Sequence, residues 1–233
     1  MIISYIWEHN GNDTLLYARD LPGAYARGAS LEEALAKFPG EIRSYLRWTG
    51  EKGDVSTARF AMVQEKQSGL QICDADSEVL FESEKEPLTQ AQYQPLKELV
   101  LRSAADFQRL FDSIPDPHRS VLPARETFYG MVPRTAEEMY EHTKNVNSYY
   151  FGEIGLEVGC EGAIRECRQR AFEKLEKAPD YLENRLRHGS YGEEWTLRKV
   201  LRRFIWHDRI HAKAMYRMAV QTFGAGENVF FFE

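Results

Sequence analysis

Cysteine is scarce in this 233-residue chain: only Cys73, Cys160 and Cys167, with no CxxC unit and an odd count. That argues against a disulfide framework and for a reducing compartment, with the cytoplasm as the expected location. Also missing is an apolar run long enough to span a bilayer, and the opening MIISYIWEHNG has no basic n-region and soon turns polar. Neither secretion nor membrane insertion is expected. Basic charge is short in the first third, where residues 1–86 carry 9 basic and 15 acidic side chains, while residues 87–233 carry 21 of each. The net charge of -6 therefore belongs to that first segment. An acidic patch repels phosphate backbones, so no nucleic-acid partner is expected, and a basic protein suits the segment better.

What is present is enough apolar content, 43%, for one large core or two small ones. The charged, proline-containing stretch SEVLFESEKEPL separates strand-like from helix-like sequence, which places a boundary between a domain of residues 1–86 and one of residues 87–233. Before it, MIISYIWEH, DTLLYARDLP and STARFAMVQE are rich in aromatic and β-branched residues, and LQICDADSEVLF can supply further short strands. Between them, Ser30 and Glu33 form a capping box ahead of Leu31, Ala34, Leu35, Phe38, Ile42, Tyr45 and Leu46 at helical spacing, with Pro39-Gly40 as a kink point. The expected order is β-β-α-β, a small α+β layer.

The stretch DLPGAYARGASLEEAL, Asp20 to Leu35, resembles the HicB antitoxin-type domain, in which a strand ends in a similar turn before an acidic helix start. Physically, Leu21-Pro22-Gly23 makes a tight turn that Gly23 can complete at positive φ, and Gly28 relieves crowding where the helix begins. The resemblance covers about a third of the chain and implies a module that binds a protein partner. No helix-turn-helix pattern follows Leu46.

From Thr89 the periodicity becomes helical. Tyr93, Leu96, Leu99, Val100, Ala104, Phe107, Leu110 and Phe111 mark a first helix that stops at Ile114-Pro115. A second starts at the Thr135/Glu138 capping box and carries His142 on its apolar stripe. A third spans roughly residues 161–177 with Ile164, Cys167, Ala171, Phe172 and Leu175 inward, and a fourth runs from Thr196 to just before Gly224. Four long helices suggest a bundle. The proline-rich connection SIPDPHRSVLPARETFYGMVPR is too long for a simple hairpin and reads as a crossover that can carry Arg119, Arg125, Phe128 or Tyr129 toward a site.

The fourth helix contains the most informative pair, His207 and His211. Four residues amount to about 40° of rotation, so both imidazoles leave one face a turn apart, in the stripe Val200, Phe204, His207, His211, Met215 and Met218. A bare HxxxH is a weak motif, and a histidine on an apolar face is commonly a hydrogen-bonded core residue. Two in one stripe, with His142 on another inner stripe, point instead to three neutral imidazoles around one divalent cation with a position left open.

Residues 89–223 resemble the DinB/YfiT-like family of metal-binding four-helix bundles, through the second-helix histidine in EEMYEHTKNVNSYYF and the run EEWTLRKVLRRFIWHDRIHAKAM. The resemblance implies an up-down-down-up bundle, a homodimer, and zinc or nickel held by His142, His207 and His211. It further implies a metal-dependent enzyme such as a thiol S-transferase, acting on a small molecule with a low-molecular-weight thiol; the alternative is a non-enzymatic metal-binding or protein-interaction module. A divalent ion on three neutral nitrogens keeps its charge and acidifies a water or thiol bound beside it. Glu138 and Asp208 are candidates to orient an imidazole, each being more often a cap or surface carboxylate.

Rival metal readings fail on the letters. A zincin needs HExxH, and here Asp208 stands in the glutamate position; an HD-type phosphohydrolase needs a further aspartate downstream, where only Glu227 and Glu233 remain acidic. Cys167 falls on a core stripe and Cys160 in a glycine-rich loop, so they read as a buried and a free thiol. Arg198, Arg202, Arg209, Lys213 and Arg217 line the fourth helix and read as a solvated or ion-paired face. The tail ENVFFFE carries three phenylalanines to be buried against the chain or a second copy.

Overall fold

Five helices and a four-stranded sheet make up the computed structural model, a mixed α/β fold that describes residues 1–233. The chain divides into two units, Met1–Glu86 with Phe230–Glu233, and Pro87–Val229. No helix is long and apolar enough to cross a membrane.

In the first unit, strands β1 (Ile2–Asn10), β2 (Asp13–Ala18) and β3 (Tyr25–Gly28) precede helix α1 (Leu31–Thr49) and strand β4 (Arg59–Gln67). The sheet order is β3-β2-β1-β4, antiparallel except for the β1–β4 pair, which is parallel because α1 returns the chain from β3 to the far edge, and which carries a register shift at Tyr5/Ile6. Three strands therefore stand before the helix where the sequence predicts two. The third is the four-residue YARG, too short to show a period, and it forms because pairing with β2 satisfies its backbone groups. At its end Gly28 is required, since a Cβ there would lie 2.7 Å from the Ala34 nitrogen. Gly23, at φ 91°, closes the preceding turn as expected.

Half of the expected capping box of α1 is present: Ser30 Oγ accepts from the Glu33 amide, but Glu33 Oε2 accepts from the Ala29 amide, one residue before the cap, and not from Ser30. Pro39-Gly40 does not divide the helix, which continues to Thr49 and buries Ala34, Phe38, Ile42 and Tyr45.

The segment LQICDADSEVLF makes no ladder strand but a 3₁₀ turn at Ile72–Asp74, another following at Glu82–Glu84. The reason is Glu8, fully buried on β1. Its carboxylate accepts from the Glu78 amide at 2.9 Å, the Val79 amide at 3.2 Å and the Ser77 hydroxyl at 2.5 Å, and Ser77 in turn accepts from the Tyr17 phenol. Backbone donors that a strand partner would have taken are thus held by one side chain, while Ile72, Val79 and Phe81 still reach the core.

The C-terminal tail also belongs to this unit. Phe230 is buried against Trp48, with ring centroids 5.2 Å apart, and Phe232 stacks on Phe230, leaving only Phe231 half-exposed. Arg43 clasps the Glu233 carboxylate. The tail is satisfied within its own chain, so its phenylalanines do not call for a second copy.

The second unit holds α2 (Gln90–Asp112), α3 (Ala136–Glu153), α4 (Ile164–Leu175) and α5 (Leu197–Phe223). Thr89, Thr135 and Thr196 cap α2, α3 and α5 through their hydroxyls, each accepting a backbone N–H three residues on. Helix α5 packs on α2 and α3, and α4 packs on both of those. Phe151, Phe172 and Phe204 meet at the centre, with ring centroids 5.4 and 5.2 Å from Phe151, and each buried ring contributes about 1.5–3 kcal/mol. Two-residue ladders, β5 (Glu126–Thr127) with β6 (Gly130–Met131) and β7 (Arg187–His188) with β8 (Glu194–Trp195), tie off the long loops.

Of the basic positions expected to form a solvated or ion-paired face, Arg217 is exposed and Arg198 and Lys213 are half-buried. Arg202 and Arg209 are buried, as are Lys199 and Arg203. Buried over most of its circumference from Leu197 to Arg209, α5 takes these long side chains into the interior, where each has an interaction partner.

Candidate metal centre

Helix α3 carries His142 on its second turn, and α5 carries His207 and His211 near its middle. Because α3 packs on α5, the three rings meet: centroids lie 5.1 Å apart for His142–His207, 4.6 Å for His142–His211 and 4.4 Å for His207–His211. One ring nitrogen from each lies within 4.8 Å of the others. Nitrogens bound to a tetrahedral zinc at about 2.0–2.1 Å would stand about 3.3 Å apart. The cluster thus approaches that spacing, with His142 its exposed member.

The electrostatics favour neutral rings. Burial lowers His207 well below its usual value, helped by His211, His142, Arg203 and Arg168 nearby. Burial, with His142 beside it, pushes His211 down to about 3, and burial lowers His142. Lone pairs are therefore available at neutral pH. His207 is 8% exposed, and its Nδ1 has no hydrogen-bond partner. A buried polar atom without a partner costs about 1–3 kcal/mol, so the donor set suits a cation that would supply the missing interaction.

Around His207 the wall is aromatic. The Tyr150 ring stands edge-on to it at 6.0 Å and packs against Trp195 and Phe204. Burial raises the Tyr150 phenol, opposed by Arg203, which donates a hydrogen bond to it. Arg203 also lies 4.5 Å from the centre of the Trp206 ring.

Neither carboxylate suggested by the sequence reaches an imidazole. Glu138 completes the α3 cap, its Oε2 accepting from the amides of Arg134 and Thr135. Asp208 is fully buried and points away from the cluster into a fork with Arg168, with Nη2–Oδ1 at 2.6 Å, while accepting from Ser103 Oγ at 2.7 Å. The reason is rotational: consecutive residues of a helix differ by about 100°, so Asp208 cannot share the face of His207. Arg168 was legible only in part, since it falls on the inward side of α4 between Ile164 and Phe172, where an arginine needs a buried acid. Tyr150 and Arg203 carry no sequence signal of their own.

The crossover residues also stay apart from the histidines. Arg119 lies over the Phe223 ring at 5.9 Å, and the Val121 amide donates to Thr222 Oγ1, which anchors this loop near the end of α5. Phe223 is twelve residues beyond His211, about 18 Å of helix. Phe128 and Tyr129 stack on each other, exposed, at the tip between β5 and β6, and Arg125 is exposed just before it. Cys167 is buried, its thiol held up by that burial, and Cys160 sits half-buried beside Ser148.

No protein-family model, no curated protein and no solved structure matches the chain.

Proposed function

We propose that this chain is a divalent-metal protein acting as a metal-dependent enzyme, with His142, His207 and His211 as the ligands. In that reading the second unit is a four-helix bundle of the DinB/YfiT-like type, its helices running up, down, down and up, and the first unit is a HicB-like module that engages a protein partner. The observation that carries it is the convergence of three imidazoles, one with an orphaned buried nitrogen. A bound zinc or nickel ion would supply a positive charge and an open position at which a low-molecular-weight thiol is acidified. His207 and His211 hold fixed places because α5 is buried around them, and Tyr150 excludes water from one side of His207. With Glu138 and Asp208 committed elsewhere, neither is available as a general base, which favours thiol transfer over base-assisted hydrolysis.

Elemental analysis of protein purified without a histidine tag or chelator tests the metal, and turnover of thiol and electrophile panels tests the reaction. Expected are about one zinc or nickel per chain, metal-dependent turnover, and loss of both in His211→Ala. Metal without turnover would instead favour a non-enzymatic metal-binding module. A chain that holds no metal and takes none up ends both readings.

A further inference from the structure

A second feature of the helical unit, sharing no residue with the histidine cluster, is a cavity of about 430 Å³ at the end of α3. That volume lies in the range of small-molecule sites. Ser148, Tyr149 and Glu153 line it from α3, and Arg187, His188 and Ser190 line it from β7 and the turn beyond.

Glu153 is the unusual member. It is 7% exposed, yet its carboxylate has no ion-pair partner and makes a single hydrogen bond, Oε2 accepting from the Ser190 amide at 2.6 Å. A buried carboxylate commonly has a cation beside it. Here the negative potential is deepened further, because Glu153 is the last residue of α3, where the helix presents its carbonyl end. Arg187 lines the same cavity, exposed and likewise unpaired, so two opposite charges face one space without meeting. The wall is closely built. A Cβ on Gly189 would collide with Glu153 Oε2 and lie 2.7 Å from Trp195 Cδ1, so only glycine admits both. The adjoining Trp195 Nε1, fully buried, has no acceptor. Tyr149, its phenol held protonated by burial and by Glu193 and Glu153, is available as a donor beside them.

We infer that this cavity binds a small zwitterion of the α-amino acid type, its ammonium against Glu153 and its carboxylate against Arg187. The Tyr149 phenol and the Ser190 hydroxyl supply further hydrogen bonds. The inference is independent of the metal reading.

Isothermal titration of the intact chain with glycine, L-serine and L-phenylalanine, each against its N-acetyl and its amide form, provides the test. The free amino acids are expected to bind at least tenfold more tightly than either blocked form. Glu153→Gln keeps an acceptor for Ser190 but should abolish the discrimination against N-acetylation, and Arg187→Ala should abolish that against the amide. Equal affinity for free and blocked forms, no binding by any of them, or variants that behave as wild type would overturn the assignment. If Glu153→Gln fails to fold, Arg187→Ala at its exposed position still decides.

Discussion

His207 and Asp208 are neighbours in α5, both buried and both polar, and the fold treats them oppositely. Asp208 is enclosed by Arg168 and Ser103 until its oxygens are matched. His207 keeps an unmatched nitrogen beside two other imidazoles and an aromatic wall, with the nearby Arg203 and Arg168 offering it no acceptor. The first arrangement is how an interior polar group is made tolerable. The second leaves an interaction for something outside the chain to complete, and this contrast within one helical turn is the strongest reason to regard the histidines as a site.

The contrast predicts unequal responses to mutation. Asp208→Ala strands the Arg168 guanidinium in the interior and should cost about 3–5 kcal/mol, read from urea denaturation of the metal-free protein. If the loss is under 1 kcal/mol, the fork is not the clamp described here. His207→Ala should behave differently: its main effect is on metal-linked stability. Zinc at about a hundred times its dissociation constant should stabilise wild type by roughly 2.7 kcal/mol, and this increment should vanish in the variant. Equal zinc responses in both proteins would remove His207 from the ligand set.

Acid provides a third effect, about 1.4 kcal/mol per ring over the first pH unit below 6.5. The histidines have folded-state values below the usual 6.5, His211 near 3, so below 6.5 the unfolded chain takes up protons that the folded chain refuses. Stability should therefore be full above pH 6.5 and decline as pH falls toward 3, by up to about 1.4 kcal/mol per pH unit for each ring that stays neutral. His211→Ala should flatten the urea-midpoint profile between pH 6.5 and 5, and an unchanged slope would show that this ring does not contribute. Least of all, Thr196→Ala removes the α5 cap, at a cost of about 1 kcal/mol with zinc affinity unaltered. A change in affinity there would mean that the placement of α5 is more sensitive to its cap than the packing implies.

Much of this was visible in the letters. The Ser30 cap and the Thr135 capping box locate two helix starts because the interaction is local, spanning three residues. The shared face of His207 and His211 follows from helical rotation alone. Other features were not visible. Strand β3 is four residues long and exists through its pairing, and the segment after β4 is irregular because a carboxylate some seventy positions earlier takes its amides. Arg202 and Arg209 read as surface charge because a one-dimensional pattern cannot tell how much of a helix its neighbours will cover.

Local chemistry in the chain thus specifies where helices begin and which residues lie on one face, whereas His142, expected on an inward stripe, is exposed because the buried face of α3 runs through Met139, Thr143, Asn147 and Tyr150 instead. The meeting of His142 with the α5 pair, the turning of Asp208 toward Arg168, and the enclosure of Glu153 opposite an unpaired Arg187 depend on packing between segments distant in sequence. Those outcomes are set by helix contacts and burial, which no local rule encodes.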